Sequence, residues 1–111
     1  MPARWPAVLL FSIATGAAVT AGAAGTPTAP PTVVAIQDFA YRPATLTVER
    51  GAAVRWVNHD EETHTVTSAT GVFTSRGLER DDVFEQPFTK PGTYHYFCSL
   101  HPKMIATIIV R

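Results

Sequence analysis

Alternation between apolar and polar residues, over short segments only, is the feature that most restricts how this chain can fold. From residue 33 to the C-terminus, runs rich in Val, Ile, Thr, Tyr and Phe are separated by turn residues, and no window keeps a helical period. Such runs are typical of strands that bury one face against a core. The sequence therefore predicts an all-β domain, either a sandwich of two sheets or a small barrel.

Seven strands are predicted from this pattern. In the strand at 93–98, for example, Tyr94, Tyr96 and Cys98 share one face, because side chains alternate along a strand. The predicted strands cover residues 34–36, 46–48, 54–58, 63–68, 83–88, 93–98 and 105–110.

Composition divides the 111 residues into three parts. Residues 1–24 are typical of a secretory signal peptide, with one positive charge, an apolar core and a small-residue cleavage site at 21–23. Residues 25–32 are rich in proline and threonine and predict an extended linker, so the folded domain is 33–111. A cleaved leader implies secretion across the inner membrane into the periplasm or beyond. An uncleaved anchor is the alternative, although the apolar stretch is short for a membrane span.

The charge of the chain argues against some classes of partner. Nine Lys and Arg balance nine Asp and Glu, so the formal net charge is 0 at pH 7. The sequence has no basic run, and neither a nucleic acid nor an anionic membrane surface is an expected partner. No second apolar stretch is long enough to span a bilayer, so no span is expected in the mature form.

A short loop holds the residues with the most specific chemistry. Cys98, His101 and Met104 have the spacing C-x2-H-x2-M between two predicted strands, so the strand ends can hold the three side chains at one point. Thiolate and thioether sulfurs favour Cu(I), and imidazole also suits Cu(II). Two His, one Cys and a weak axial Met are the ligands of electron-transfer copper sites. Cys98 is the only cysteine, so it cannot form a disulfide within the chain.

A second histidine ligand has to come from elsewhere, and His59, His64 and His95 are the candidates. His95 alternates with Cys98 along one predicted strand and should point to the opposite face. We favour His64, because the strand that it begins can pair beside the Cys98 strand and place both side chains at one end of the domain. His59 and His95 are then predicted to be surface or structural residues.

Two other chemistries use some of the same residues. Zinc is the rival metal, but structural zinc sites use two or more cysteines or only Cys and His, and methionine is a poor zinc ligand. Cys98 and His101 could also form a nucleophilic thiolate–imidazolium pair, although the sequence suggests neither an oxyanion-hole loop nor a substrate pocket. Copper is the metal that the whole set of side chains favours.

These residues together resemble the cupredoxin family, in particular its plastocyanin and amicyanin group. The resemblance covers nearly all of residues 34–110, and the two residues between His101 and Met104 match the amicyanin-like branch. The residues that carry it are Asp38, Phe39, Pro43, Leu46, Val48, Gly51, the segment 54–60 (VRWVNHD), the segment 64–68 (HTVTS), Gly71, Phe73, Ser75, Phe88, Gly92, Tyr94, Tyr96, Cys98, His101, Pro102 and Met104.

The resemblance implies an antiparallel Greek-key β-sandwich of seven to eight strands with one type 1 (blue) copper ion at one end. It implies that the amide of Asn58 fastens the upstream loop to Ser99. One departure is Leu100, which stands where many relatives have proline and so provides an additional N–H near the Cys98 sulfur. The four copper ligands that the resemblance implies are His64, Cys98, His101 and Met104.

The resemblance also implies an electron carrier and not an enzyme. Such a protein passes single electrons between transient partners, a cytochrome or a dehydrogenase, and is expected to be a periplasmic monomer. Leu100, Pro102 and Lys103 would surround His101 as a mostly apolar docking patch. A periplasmic copper carrier or store without redox turnover is the alternative function. The acidic residues 60–62 are predicted to form a solvated loop.

Overall fold

The computed structural model describes residues 2–4 and 29–111. Almost all of the predicted signal peptide (1–24) and half of the predicted linker (25–32) therefore lie outside the described residues. The first strand begins at Thr32, the last residue of that predicted linker. No helix in the described part of the chain is long and apolar enough to cross a membrane.

The described residues contain eight strands and no helix, so the all-β prediction is confirmed. One strand had not been predicted, a short one at residues 40–42 that forms a hairpin with the strand before it. The strands are β1 (Thr32–Gln37), β2 (Ala40–Arg42), β3 (Thr45–Val48), β4 (Ala52–Asn58), β5 (Thr67–Ser68), β6 (Val83–Phe88), β7 (Gly92–Cys98) and β8 (His101–Val110).

The strands form two four-stranded sheets, in the orders β2-β1-β4-β6 and β3-β8-β7-β5. β1 runs parallel to β4, and β3 runs parallel to β8, whereas the other neighbours are antiparallel. The predicted β-sandwich is confirmed, but its sheets are mixed and not purely antiparallel. The path of the chain explains the parallel pairs. After β2 the chain crosses to the second sheet to form β3, and it then returns to the first sheet, where β4 lies beside β1.

A core centred on Trp56 of β4 joins the two sheets. Trp56 is fully buried, and its Nε1 donates to the hydroxyl of Tyr96 on β7 at 3.1 Å. Burial raises the pKa of Tyr96 to about 12, although the bond from Trp56 acts in the opposite direction. The hydroxyl of Tyr41 donates to the carbonyl of Thr65 at 2.5 Å. The large aromatic side chains therefore satisfy their polar atoms inside the core.

The strand predicted at 63–68 is much shorter in the structure. Only β5 (Thr67–Ser68) pairs with β7. The N–H groups of the two residues before it donate to side chains and not to a neighbouring strand. His64 forms an isolated bridge with Leu78. A sequence that is rich in β-branched residues therefore becomes an irregular segment here, since its backbone donors are used for other contacts.

The hairpin between β7 and β8 is tighter than the sequence predicts. β8 begins at His101 and not at residue 105, so only Ser99 and Leu100 connect the two strands. Cys98 pairs with His101 across the hairpin, with a register shift between Phe97 and Cys98. The tight turn thereby places a cysteine directly opposite a histidine at one end of the sandwich.

Candidate metal centre

Three side chains from separate parts of the chain meet at this end of the sandwich. His64 lies between β4 and β5, Cys98 ends β7 and His101 begins β8. One ligand atom of each lies within 4.8 Å of the other two. Both imidazoles turn Nδ1 towards the sulfur, since Cys98 Sγ is 3.7 Å from Nδ1 of His64 and 3.6 Å from Nδ1 of His101.

Burial differs among the three side chains. His64 and Cys98 are completely buried, whereas His101 is partly exposed. Leu100, Pro102 and Lys103 are exposed on either side of His101 along the chain. The cluster is therefore enclosed by protein around its sulfur and reaches the surface through the His101 ring.

The other two histidines lie outside the cluster. His59 is exposed in the segment that follows β4. His95 is exposed on β7, where its Nδ1 lies 3.1 Å from the hydroxyl of Thr107. The structure therefore brings His64 to Cys98 and keeps the alternative candidates at the surface.

Met104 is buried close to the cluster along the chain. It lies on β8, three residues after His101, and only 6% of its side chain is exposed. It shares the inward face of that strand with Ala106 and Ile108. The structure therefore buries the thioether in the core, three residues along β8 from His101.

The donor atoms of the cluster fit a copper ion. One sulfur and two imidazole nitrogens that converge on one point combine the soft and intermediate donors of electron-transfer copper sites. The backbone N–H of Thr65 donates to Cys98 Sγ at 3.3 Å and helps to hold the sulfur in place. The sequence had suggested that an N–H of Leu100 lies near this sulfur, but the donor in the structure is Thr65. Zinc fits less well, because the cluster has three Cys and His ligands where a structural zinc site uses four.

Asp60 corrects the prediction of a solvated acidic loop. Glu61 and Glu62 are exposed, but only 11% of the Asp60 side chain is. Its Oδ2 lies 2.8 Å from Nε2 of His64. A run of three acidic residues suggests a solvated loop, and only the folded chain shows that one of them turns inward. The signal in the sequence was the position of Asp60, four residues before a predicted ligand.

The Asp60 carboxylate holds the ring of His64 in one orientation through a hydrogen bond. Because an ionised carboxylate only accepts hydrogen bonds, Nε2 of His64 is the donor in this contact, and Nδ1 is the ring nitrogen that faces Cys98. Burial raises the pKa of Asp60, but hydrogen bonds from the backbone of Phe39 and Asp38 and from His64 outweigh it and lower that pKa below its usual value. Asp60 therefore remains an acceptor at neutral pH.

The contact predicted between Asn58 and Ser99 is not the one that the structure shows. Asn58 Nδ2 donates to the carbonyls of Glu62 and Leu78, both at 2.8 Å. Thr65 makes the link to Ser99 instead, since its Oγ1 accepts the Ser99 N–H at 2.8 Å. Asn58 thus closes the loop before His64, whereas Thr65 is the residue beside Cys98. The sequence alone predicts no role for Thr65, although this residue directly follows a predicted ligand.

These features define a small β-sandwich protein in which one thiol and two imidazoles converge as a candidate metal site. Comparison with known families leads to the same class. The model of the cupredoxin-like domain matches residues 6–110, and the chain belongs to this family. The resemblance inferred from the sequence is thereby confirmed.

Amicyanins are among the relatives that the chain matches in sequence. It is 33% identical to the amicyanin of Paracoccus versutus over 84 residues, which cover 71% of this chain and 64% of the relative. It is 31% identical to the amicyanin of Paracoccus denitrificans over 84 residues, with the same coverage. The match therefore spans less than two thirds of the length of either relative.

Solved structures of the same fold include both small proteins and part of an enzyme. An oxidized proline-to-alanine variant of amicyanin has a TM-score of 0.70 at 29% identity, covering 73% of this chain and 82% of the other. The Cu(I) form of a methionine-to-alanine variant has a TM-score of 0.71 at 28% identity, covering 77% and 86%. A copper-containing nitrite reductase from Thermus scotoductus has a TM-score of 0.70 at 27% identity and covers 74% of this chain, but the match covers only 22% of that enzyme.

Proposed function

We propose that this chain binds one type 1 copper ion and carries single electrons between protein partners. The observation that carries the proposal is the convergence of two imidazole Nδ1 atoms on Cys98 Sγ, at 3.7 Å from His64 and 3.6 Å from His101. Two histidines and a cysteine are the strong ligands of electron-transfer copper. Similarity to amicyanin, which has been solved in a Cu(I) form, supports the same metal.

His64, Cys98 and His101 would hold the ion, and Met104 would supply the weak axial sulfur. Copper in such a site provides a one-electron couple between Cu(I) and Cu(II). Met104 suits the axial role because it is buried three residues beyond His101 on β8. Its thioether also explains why copper is favoured over zinc, which has little affinity for that group.

The chain holds the ligands in place through contacts that do not depend on a metal. Asp60 orients the ring of His64, and Thr65 donates to Cys98 Sγ through its N–H. The hydroxyl of Thr65 also accepts the N–H of Ser99, which fixes the turn between Cys98 and His101. Ligands that are oriented in this way move little when the charge of the site changes, which suits rapid electron transfer.

Electrons would enter and leave through His101. Its ring is partly exposed, and Leu100, 55% exposed, lies beside it with Pro102 and Lys103. A mostly apolar patch of this kind suits a small and short-lived contact with a cytochrome or a dehydrogenase, as is usual for redox encounters. We propose that the protein works in the periplasm, on the basis of the predicted signal peptide. We also propose that it is a monomer and that it catalyses no reaction.

The first experiment is the absorption and EPR spectrum of the copper-loaded protein. We expect a strong blue band from thiolate-to-copper charge transfer, which should be absent from Cys98→Ser and lost or displaced in His64→Gln. The matched control is His95→Gln, because His95 is an exposed histidine outside the cluster, and this variant should stay blue. A blue serine variant would refute the ligand assignment.

A second measurement separates an electron carrier from a copper store. The carrier should exchange electrons rapidly between its reduced and oxidized forms, which broadens NMR lines near the site in mixtures of the two. It should also release copper slowly to a chelator, because His64 and Cys98 are fully buried. Rapid metal release with slow electron exchange would favour the store.

A further inference from the structure

The turn between β1 and β2 has an unusual backbone. Gln37 pairs with Ala40, so Asp38 and Phe39 form a two-residue turn, and their φ angles are 52° and 56°. Bulky residues rarely adopt this left-handed region. Hairpin turns of this kind favour Asn-Gly or Asp-Gly, so Asp38 suits its position and Phe39 does not. A strained residue in such a position suggests a functional contact.

The ring of Phe39 contacts both imidazoles of the metal centre. Its centroid lies 5.0 Å from those of His64 and His101, with interplanar angles of 87° and 89°. Edge-to-face pairs of this geometry are favourable. About half of Phe39 is open to solvent, since 49% of the residue is exposed. Burial in the core therefore does not explain the phenylalanine, whereas the contact with two proposed ligands does.

A single carboxylate fastens this turn to the metal centre. Asp60 accepts the N–H of Asp38 at 2.8 Å and the N–H of Phe39 at 2.9 Å. The oxygen that binds Phe39, Oδ2, also lies 2.8 Å from His64 Nε2. The group that orients His64 therefore also holds a turn whose conformation is locally unfavourable. The ring of Phe39 and the ring of His64 have a common anchor.

We propose that Phe39, held in place by Asp60, is a positioning residue that also covers the metal centre. Its ring restrains the imidazole of His101, which is the more exposed of the two, and limits the approach of small external ligands to the space between His64, Cys98 and His101. The proposal rests on the copper site described above. A smaller residue would relieve the unfavourable backbone of the turn, but it would leave the metal centre open on that side.

Phe39→Gly tests the cover without weakening the turn. Glycine suits a left-handed φ, so this variant should be at least as stable as the parent in denaturant. With the copper-loaded protein, we expect azide to bind more tightly, and EDTA to remove Cu(II) faster, by about two- to tenfold, the range that corresponds to loss of aromatic contacts. If Phe39 acts only in the turn, azide binding and copper release should both keep their parental values.

Two further variants make the result specific to the ring. Phe39→Tyr keeps the aromatic edge and should restore azide binding and copper release to parental values. Val33→Ala is the matched control, because Val33 is half exposed (50%), as Phe39 is, but lies near the start of β1, away from the turn. If Phe39→Gly behaves like Val33→Ala while both stay blue, the proposal is wrong.

A copper-free measurement distinguishes failure of this inference from failure of the proposed function. In the metal-free protein, NMR should show Overhauser contacts from the Phe39 ring to the imidazole protons of His64 and His101. The His101 ring should become more mobile in Phe39→Gly. Unchanged His101 mobility would overturn the positioning role whether or not the protein binds copper. A parent protein that lacks a blue spectrum but shows these contacts would contradict only the copper proposal.

The shared anchor is tested by combining substitutions. Asp60→Asn should release the turn as well as His64, so adding Phe39→Gly to it should accelerate copper loss little further. Two groups that act through one contact give effects that do not add in free energy. If the fold-changes of the two single variants multiply in the double variant, Asp60 does not act through Phe39.

Discussion

The metal centre and the aromatic cluster in the interior of the sandwich are stabilised in different ways. The aromatic cluster consists of Trp56, Phe73, Phe88 and Tyr94, and the centroids of Phe88 and Tyr94 lie 5.2 Å apart. Tyr94 and Cys98 lie on one strand, about 13 Å apart at the usual rise. Aromatic rings can pack against one another at many angles. An open cavity of about 240 Å³ remains beside Phe88 and Tyr94.

The metal centre depends on single polar atoms instead. Oδ2 of Asp60 serves both His64 and Phe39, and Oγ1 of Thr65 serves Ser99. Each of these contacts has one donor and one acceptor at a fixed distance, so it cannot be replaced by apolar area. Stability and ligand geometry are therefore supplied mainly by different residues. Substitutions in one region should therefore leave the property of the other largely unchanged.

Phe88→Ala should have the largest effect and should act on stability alone. Phe88 is 3% exposed and packs against Trp56, Phe73 and Tyr94. Losing its ring should lower the free energy of unfolding by about 3–5 kcal/mol, measured in denaturant on the copper-free protein. The spectrum of the folded copper form should not change. If the alanine variant does not fold, Phe88→Leu, which loses less of the side chain, can be measured instead. A changed spectrum in either variant would contradict the separation between stability and ligand geometry.

Met104→Leu should have the opposite pattern. The two side chains have similar volume, so the stability of the copper-free protein should change by less than about 1.5 kcal/mol. Copper should still bind, but the reduction potential should rise, because a weak donor that stabilises Cu(II) has been removed. Voltammetry of the two copper-loaded proteins measures this, and equal potentials would argue against axial coordination by Met104.

Thr65→Val should have a smaller effect on stability that is concentrated at the turn between β7 and β8. Valine keeps the shape but removes the acceptor of the Ser99 N–H, which should cost about 0.5–1.5 kcal/mol. Faster amide hydrogen exchange at Ser99 would locate the change. Thr107→Val is the control, because its hydroxyl contacts the exposed His95. Equal exchange at Ser99 in all three proteins would show that Thr65 does not hold the turn.

Asp82→Asn should give the smallest effect, and one that depends on pH. Hydrogen bonds from the Glu79 N–H and from Arg76 lower the pKa of Asp82. A lowered pKa in the folded state stabilises the protein above the unfolded pKa of about 3.9, and this contribution is lost as the pH falls through the folded value. Denaturation of the copper-free proteins should therefore show a small deficit for the variant at pH 7 that shrinks on acidification. A deficit that is constant with pH would contradict the ionic origin.

Much of the fold could be predicted because strands have a local signature. Alternation along 93–98 placed Tyr96 and Cys98 on one face, and both are buried. The same rule failed at 63–68, where β-branched residues predict a strand but the N–H of Thr65 donates to Cys98 Sγ. Periodicity reports which residues suit a strand, whereas pairing depends on what lies beside them.

The sequence by itself predicted the chemistry of the candidate metal centre, because Cys98, His101 and Met104 lie within seven residues of one another. Only the tertiary structure decided which residues orient these ligands. It assigned Thr65 and not Asn58 to Ser99, and it turned Asp60 inward. The physical reason is that a hydrogen bond requires donor and acceptor to approach within about 3 Å. For residues that are distant in sequence, such an approach is a property of the packed fold and not of local pattern.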